Sequence, residues 1–176
     1  MTYFEFFELP PNLGVDLKDL EKRFYALSRK WHPDMFARRS EQEREASLEA
    51  TAMLNDGYRV LKDPITRALY LLKLEGFDVG EQGSKDVPPE LLEEVFELNM
   101  AIEELRDGDE SARPQLEAAR TRFEGMKHEL DTDLQSKFGN FDSTRDRAVL
   151  AEIRQLLNRR KYITNLINQT HVPDRV

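Results

Sequence analysis

The 176-residue chain contains no cysteine. Disulfides, thiolate nucleophiles and Cys-ligated zinc or iron–sulfur centres are thereby excluded. Histidine is nearly as scarce: His32, His128 and His171 are too dispersed to form a metal-ligand set. Only eight glycines and eight prolines interrupt the chain, which leaves room for long helices. No apolar run approaches the roughly 18 residues of a membrane span. The first residues, Met1-Thr2-Tyr3-Phe4-Glu5, lack both the basic start and the apolar core of a secretion signal. They also lack the Arg-rich, acid-poor character of an organelle transit peptide. Surplus positive charge is missing as well. A formal net charge of −8 argues against general nucleic-acid binding, which depends on neutralising phosphates.

What is present is a charged, helix-rich chain, 39% hydrophobic and 34% charged, long enough for one or two small domains. Its charge is uneven. Residues 1–76 hold 12 basic and 13 acidic side chains, whereas the remaining hundred hold 14 and 21. The two parts therefore differ in electrostatic character, as expected of two different binding surfaces.

Hydrophobic periodicity predicts an all-α fold in two units, with no alternating strand pattern and no internal repeat. Residues 2–9 form a short aromatic segment stopped by Pro10-Pro11. Asp16 caps a helix with apolar residues Leu17, Leu20, Phe24, Leu27 and Trp31, and Pro33 ends it. A third helix begins near Ser40, where Ser-Glu-Gln-Glu has the form of a capping box, with a stripe through Leu48, Ala52, Leu54, Tyr58 and Leu61. Asp63-Pro64 opens a short fourth helix running to Leu74. The stretch 77–88 is rich in breakers and reads as a joint between a unit 1–76 and a unit 89–176. Three longer helices follow, at about 89–106, 111–138 and 143–170, with apolar spacings suited to a three-helix bundle. The first places residues 91, 95, 98, 102 and 105 on the bundle seam. Arg160 falls on the stripe of the last helix, where its stem should pack and its head reach solvent.

Two features carry candidate function. The first is His32-Pro33-Asp34, in the loop between the second and third helices. A tripeptide alone is a weak signal. Its context is stronger: Lys22, Arg23, Arg29 and Lys30 fall two turns apart on one side of the preceding helix, and Arg38 and Arg39 follow the loop. A basic face leading to an exposed loop fits docking on an acidic protein surface, against the plainer reading of a solvated helix face. No Ser or Cys nucleophile accompanies the His–Asp pair, so no catalytic residue is assigned. The second feature is Leu92, Phe96 and Met100, a stripe beside the bundle seam. It fits an interface, a wide core-facing stripe, or packing against the first unit. Asp107-Gly108-Asp109-Glu110-Ser111 lacks the glycine and the closing glutamate of a calcium loop and reads as a helix-to-helix turn. His128 lies in a charged helix face, where an exposed or satisfied side chain is expected.

These segments resemble the J-domain. Tyr3-Phe4 with Phe6-Phe7-Glu8-Leu9 is similar to its first helix, and Phe24 through Asp34 to its second helix and loop. Asn55 through Pro64 is similar to its third helix and exit, and Arg67-Ala68-Leu69-Tyr70 to the Arg-Ala-x-Tyr of its fourth. The resemblance implies that Lys22, Arg23, Arg29, Lys30, His32, Pro33, Asp34 and Arg38 engage the ATPase domain of a DnaK- or HscA-type chaperone and stimulate ATP hydrolysis. The chain itself would then be no enzyme.

The second unit narrows the resemblance. It has neither the Gly/Phe-rich linker nor the Cys-rich module of general J-proteins. Arg67 through Asp78, then Asp86 and the Leu- and Glu-rich run Leu91–Leu98, resemble the HscB type of iron–sulfur cluster biogenesis. That resemblance implies an IscU-type scaffold held by Leu92, Phe96, Glu97, Met100 and Tyr162. Glu93 stands where that family often has Met or Leu, and Met100 where an acidic residue is common. It further implies no cofactor. The charge and the lack of an apolar span leave no nucleic-acid or membrane partner expected, and the absent presequence and the absent N-terminal Cys module of some eukaryotic relatives favour a bacterial cytoplasm ahead of a mitochondrial matrix. A general J-domain protein serving unfolded clients is the alternative.

Overall fold

A computed structural model describes residues 1–80 and 87–173. Among these residues the architecture is all-α, with seven α-helices and no strand. No described helix is long and apolar enough to cross a membrane. The chain divides into two compact units, one of residues 1–78 with 138–145, the other of 79–137 with 146–176. Asp86, part of the sequence resemblance, lies outside the described residues.

In the first unit, α1 (Tyr3–Phe6) starts from a reciprocal capping box between Thr2 and Glu5. α2 (Leu17–Trp31) starts at Asp16, whose carboxylate accepts the N–H groups of Lys18 and Asp19. α3 (Glu41–Lys62) is capped by Ser40, and α4 (Pro64–Leu74) by Asp63, with Pro64 at its first position. At the end of α4, Gly76 takes φ 85°, and the Gly76 and Phe77 N–H groups close on the Lys73 and Leu72 carbonyls. This turn needs a residue that enters the left-handed region without strain.

The core of the unit is built on Phe4, Phe7, Leu13, Leu20, Leu54, Leu61, Leu71 and Leu72. α1 crosses α3 at Gly57, where a Cβ would meet Phe7 at 2.9 Å and Tyr3 at 3.0 Å. That approach corrects the sequence expectation for α3. Leu48 and Ala52 face outward, and the buried line runs through Ser47, Ala50, Leu54, Gly57 and Leu61. Small residues are needed where helices cross closely, and periodicity read from large apolar residues chose the wrong edge of the stripe. Leu17 is also exposed: it opens α2 and borders a shallow groove with Tyr58, Lys62 and Pro64.

The Arg67-Ala-x-Tyr70 motif proves to be structural. Arg67 is buried and donates from Nε to the Leu13 carbonyl at 2.7 Å and from a terminal nitrogen to the Leu61 carbonyl at 2.5 Å. Desolvation holds its guanidinium below the ordinary value, with Asp63 and Asp142 opposing that shift. The Tyr70 hydroxyl accepts the Tyr3 N–H at 3.0 Å, and the two rings stack at 4.7 Å.

In the second unit, α5 (Leu92–Arg106), α6 (Arg113–Thr144) and α7 (Arg147–Gln169) supply the core. The expected seam of α5 is inward: Leu91, Leu98, Ile102 and Leu105 are buried and Val95 packs against them. α6 runs to Thr144, six residues past its expected end at 138. Phe138 and Phe141, both buried, lie in the 138–145 stretch that groups with the first unit, and Gly139 between them sits in the helix with open space where a Cβ would be. The turn comes at Arg145, φ 57°, before Asp146 caps α7. Arg160 keeps part of its side chain exposed, and its Nε pairs with the part-exposed Asp131 at 2.6 Å.

Candidate functional site

His32 is the last residue before a 3-10 turn at Pro33–Phe36, and its backbone has already left α2, at φ −57° and ψ 130°. Proline at 33 forbids a continuing α-helix and turns the next side chains outward. The His32 side chain is 54% exposed and that of Asp34 92%. His32 Nδ1 accepts the Asp34 N–H at 3.2 Å. Asp34 Oδ2 lies 3.6 Å from the same Nδ1. Behind the loop, the Trp31 and Phe36 rings stack, centroids 5.9 Å apart and planes within 10°. An exposed imidazole and carboxylate on a braced arch suit recognition of another surface. They do not enclose a substrate.

The cations of the basic face separate into two kinds. Lys22, Arg29, Lys30 and Arg38 are exposed, with the Lys30 ammonium 5.4 Å from the Trp31 ring centre. Arg23 is turned inward instead. Its Nε pairs with Asp19 at 2.9 Å, and a terminal nitrogen donates to the Phe7 and Glu8 carbonyls, each at 3.1 Å. Those bonds hold Glu8 in a left-handed backbone conformation, φ 56°. Arg39, on the far side of the loop, lies 3.8 Å from Glu43.

On α5 the second stripe is exposed: Leu92 at 56%, Phe96 at 65% and Met100 at 46%. The reading as a wide core-facing stripe is therefore excluded. Glu97, exposed beside them, is 3.9 Å from Arg122 of α6. Between α5 and α6 a groove of about 420 Å³ has Ala118 and Ala119 among its apolar residues and Glu97, Glu104 and Arg122 among its charged ones. Tyr162 differs from the exposed trio in its burial. It is partly buried against the bundle core, and burial pushes its phenol up from its ordinary value. Three large apolar side chains at i, i+4 and i+8, rimmed by acidic ones, are the anatomy of a protein-docking face. Among the described residues no cluster of ligating side chains could hold a metal ion. Asp107–Ser111 forms the turn between α5 and α6, with Asp109 capping onto the Ser111 N–H.

The sequence supplied no signal for Ser47 or Thr51, which hold the base of the loop from α3, or for Asp142, which caps the strand-free segment before α2. Each bonds to backbone that is remote in sequence.

The arrangement of α2, loop and α3 defines a J-domain protein. Residues 2–70 match the DnaJ domain model, and residues 87–171 match the HSCB C-terminal oligomerisation domain. The chain is 32% identical to the co-chaperone protein HscB homolog of Shewanella loihica over 94% of this chain and 93% of that one. It superposes on the chaperone HscB from Vibrio cholerae with a TM-score of 0.66 at 30% identity, covering 97% and 95% of the two chains. On human co-chaperone HscB the TM-score is 0.71 at 27% identity, covering 97% of this chain and 80% of that one. The chain belongs to the HscB co-chaperone family.

Proposed function

We propose that this co-chaperone stimulates ATP hydrolysis by a DnaK- or HscA-type chaperone through His32-Pro33-Asp34, and delivers to it an IscU-type iron–sulfur scaffold for cluster transfer. The observation that carries the reading is the pairing of two exposed features: a braced His–Pro–Asp arch on one unit, and an unpartnered Leu92-Phe96-Met100 stripe on the other. Residues 1–76 supply the chaperone contact and 89–176 the scaffold contact, with 77–88 as the joint. Lys22, Arg29, Lys30 and Arg38 present the positive face, while Arg23 shapes it from within. Leu92, Phe96 and Met100 anchor the scaffold and Glu97 rims the contact. Tyr162, partly exposed on α7, adds an aromatic contact from the last helix.

The mechanism is delivery. One chain that binds both partners raises the scaffold's effective concentration at the chaperone, to the millimolar range typical of short linkages. His32 and Asp34 bias the partner's conformation and take no part in chemistry on the nucleotide. The cluster is cargo on the scaffold. The setting is the bacterial cytoplasm.

Calorimetric titration of an IscU-type scaffold into the chain tests the scaffold half of this reading. Saturable binding to wild type that is weakened in Phe96→Ala supports it. Absence of binding, or equal binding by both, contradicts it. An unfolded polypeptide bound in preference to the scaffold would favour a general J-domain role instead.

A further inference from the structure

Pro33 ends α2 and leaves the Trp31 carbonyl without a helical donor. The Met35 N–H, which would reach it in a continuing helix, donates to the His32 carbonyl at 2.9 Å. The Asp34 N–H donates to His32 Nδ1. The missing donor comes from α3. Ser47, a polar side chain with no exposed surface, donates its hydroxyl to the Trp31 carbonyl at 2.8 Å. Thr51, one turn further along, has a single hydroxyl proton. Its oxygen is 2.8 Å from the Ser47 carbonyl and 3.3 Å from that of Trp31, so the nearer carbonyl takes the proton. Ser47 is then the principal donor, and Thr51 steadies the turn that carries it.

That carbonyl belongs to the planar Trp31–His32 peptide. Fixing its oxygen fixes the rotation of the plane and the His32 N–Cα axis in it; with His32 φ held at −57°, that sets the direction in which the Cα–Cβ bond leaves. At the other end of the arch, Phe36 stacks on the same Trp31. Both feet of the loop therefore rest on one residue, and Ser47 ties that residue to α3.

We propose that Ser47 is a positioning residue for the His32-Pro33-Asp34 loop, setting its aim through the Trp31 carbonyl without touching any partner. The assignment rests on the reading that this loop engages a DnaK-type chaperone. Ser47→Ala removes the principal donor to a part-buried carbonyl, leaves only the longer Thr51 contact, and loosens the peptide plane. Thr51→Val removes only the secondary donor.

The test titrates full-length wild type, Ser47→Ala, Ser47→Cys and Thr51→Val into a DnaK-type chaperone and follows steady-state ATP turnover. Circular dichroism establishes that each variant is folded, and amide exchange of Asp34 reports on the loop directly. The expected result for Ser47→Ala is a roughly tenfold higher half-maximal concentration at an unchanged plateau rate, with faster Asp34 exchange. A role confined to overall stability would leave the half-maximal concentration of a folded variant where it was. Ser47→Cys keeps the shape and weakens the donor, so it should fall between, and it carries the test if the alanine variant does not fold. Thr51→Val should shift the half-maximal concentration by less than about threefold. Folded Ser47 variants with wild-type half-maximal concentration and wild-type Asp34 exchange would overturn the assignment. A wild-type chain that gives no stimulation would instead remove the chaperone reading. Asp34 exchange would still decide whether Ser47 holds the loop.

Discussion

The Asp142 carboxylate accepts the backbone N–H groups of both Leu13 and Gly14, each at 2.8 Å, from 129 and 128 residues away in sequence. Leu13 is thereby held on both sides, because its carbonyl accepts from Arg67 at 2.7 Å. The segment between α1 and α2 has no ladder or helix of its own to satisfy these groups. Arg145 adds a donor to the Pro11 carbonyl at 2.8 Å and a second to the Asn12 side chain. Asp142→Ala is expected to lower unfolding stability by about 2 kcal/mol, the scale of two charge-assisted bonds partly open to water. Urea titration followed by circular dichroism checks this, and a loss below about 0.5 kcal/mol would contradict it.

Arg67 should matter more, since its partners are buried. Arg67→Met leaves the Leu13 and Leu61 carbonyls unpaired and is expected to cost about 3 kcal/mol in the same titration. Arg67→Lys should not restore it, because one ammonium cannot reach two carbonyls from the fixed fork of a guanidinium. A lysine variant as stable as wild type would show that charge, and not geometry, is what the site needs.

Much of this was legible in the sequence where a local signal existed. Asp16, Ser40 and Asp63 cap helices at the positions their side chains predict, and Pro33 and Pro64 mark an end and a start. The seam at Leu91, Leu98, Ile102 and Leu105 followed from spacing alone. The failures share a cause. α3 buries Ser47 and Gly57, the one bonded to a remote carbonyl and the other giving room to α1, and hydropathy registers neither. α6 continues past Gly139-Asn140, where Phe141 is buried in the 138–145 stretch that groups with the first unit, a tertiary gain that outweighs local propensity. For Arg23 the helix wheel gives its side of α2 but not what it bonds. Its carbonyl partners lie 15 and 16 residues away, beyond any helical period.

The exposed stripe on α5 allows binding to be separated from folding. Phe96→Ser removes a large apolar side chain that is already mostly in water, so stability should change by less than about 0.5 kcal/mol. Affinity for an IscU-type scaffold should fall more than roughly tenfold, as for an aromatic anchor at the centre of an interface. Thermal unfolding and calorimetric titration of the same variant decide the point. Reduced stability with unchanged affinity would place Phe96 in the fold and outside the interface.

Burial raises the Tyr162 phenol, so the folded chain holds that proton more tightly than the unfolded chain does. Stability from this group is therefore complete below the phenol's unfolded pKa and declines as pH rises through the higher folded value. Ultraviolet titration should show a late-ionising phenol contribution that disappears in Tyr162→Phe, and the variant should lose less stability above about pH 10 than wild type. Loss of an early-ionising phenol instead would contradict the buried placement.

The central claim is tested most directly by steady-state ATP turnover of a DnaK- or HscA-type chaperone, with wild type or His32→Gln added, in the presence of an IscU-type scaffold. Glutamine keeps much of the bulk at position 32 but loses the imidazole that accepts the Asp34 N–H through Nδ1. The expected result is stimulation by wild type and at least a roughly tenfold loss of it in His32→Gln, with scaffold binding intact in both. Equal stimulation by the two chains, or none by either, would contradict the account.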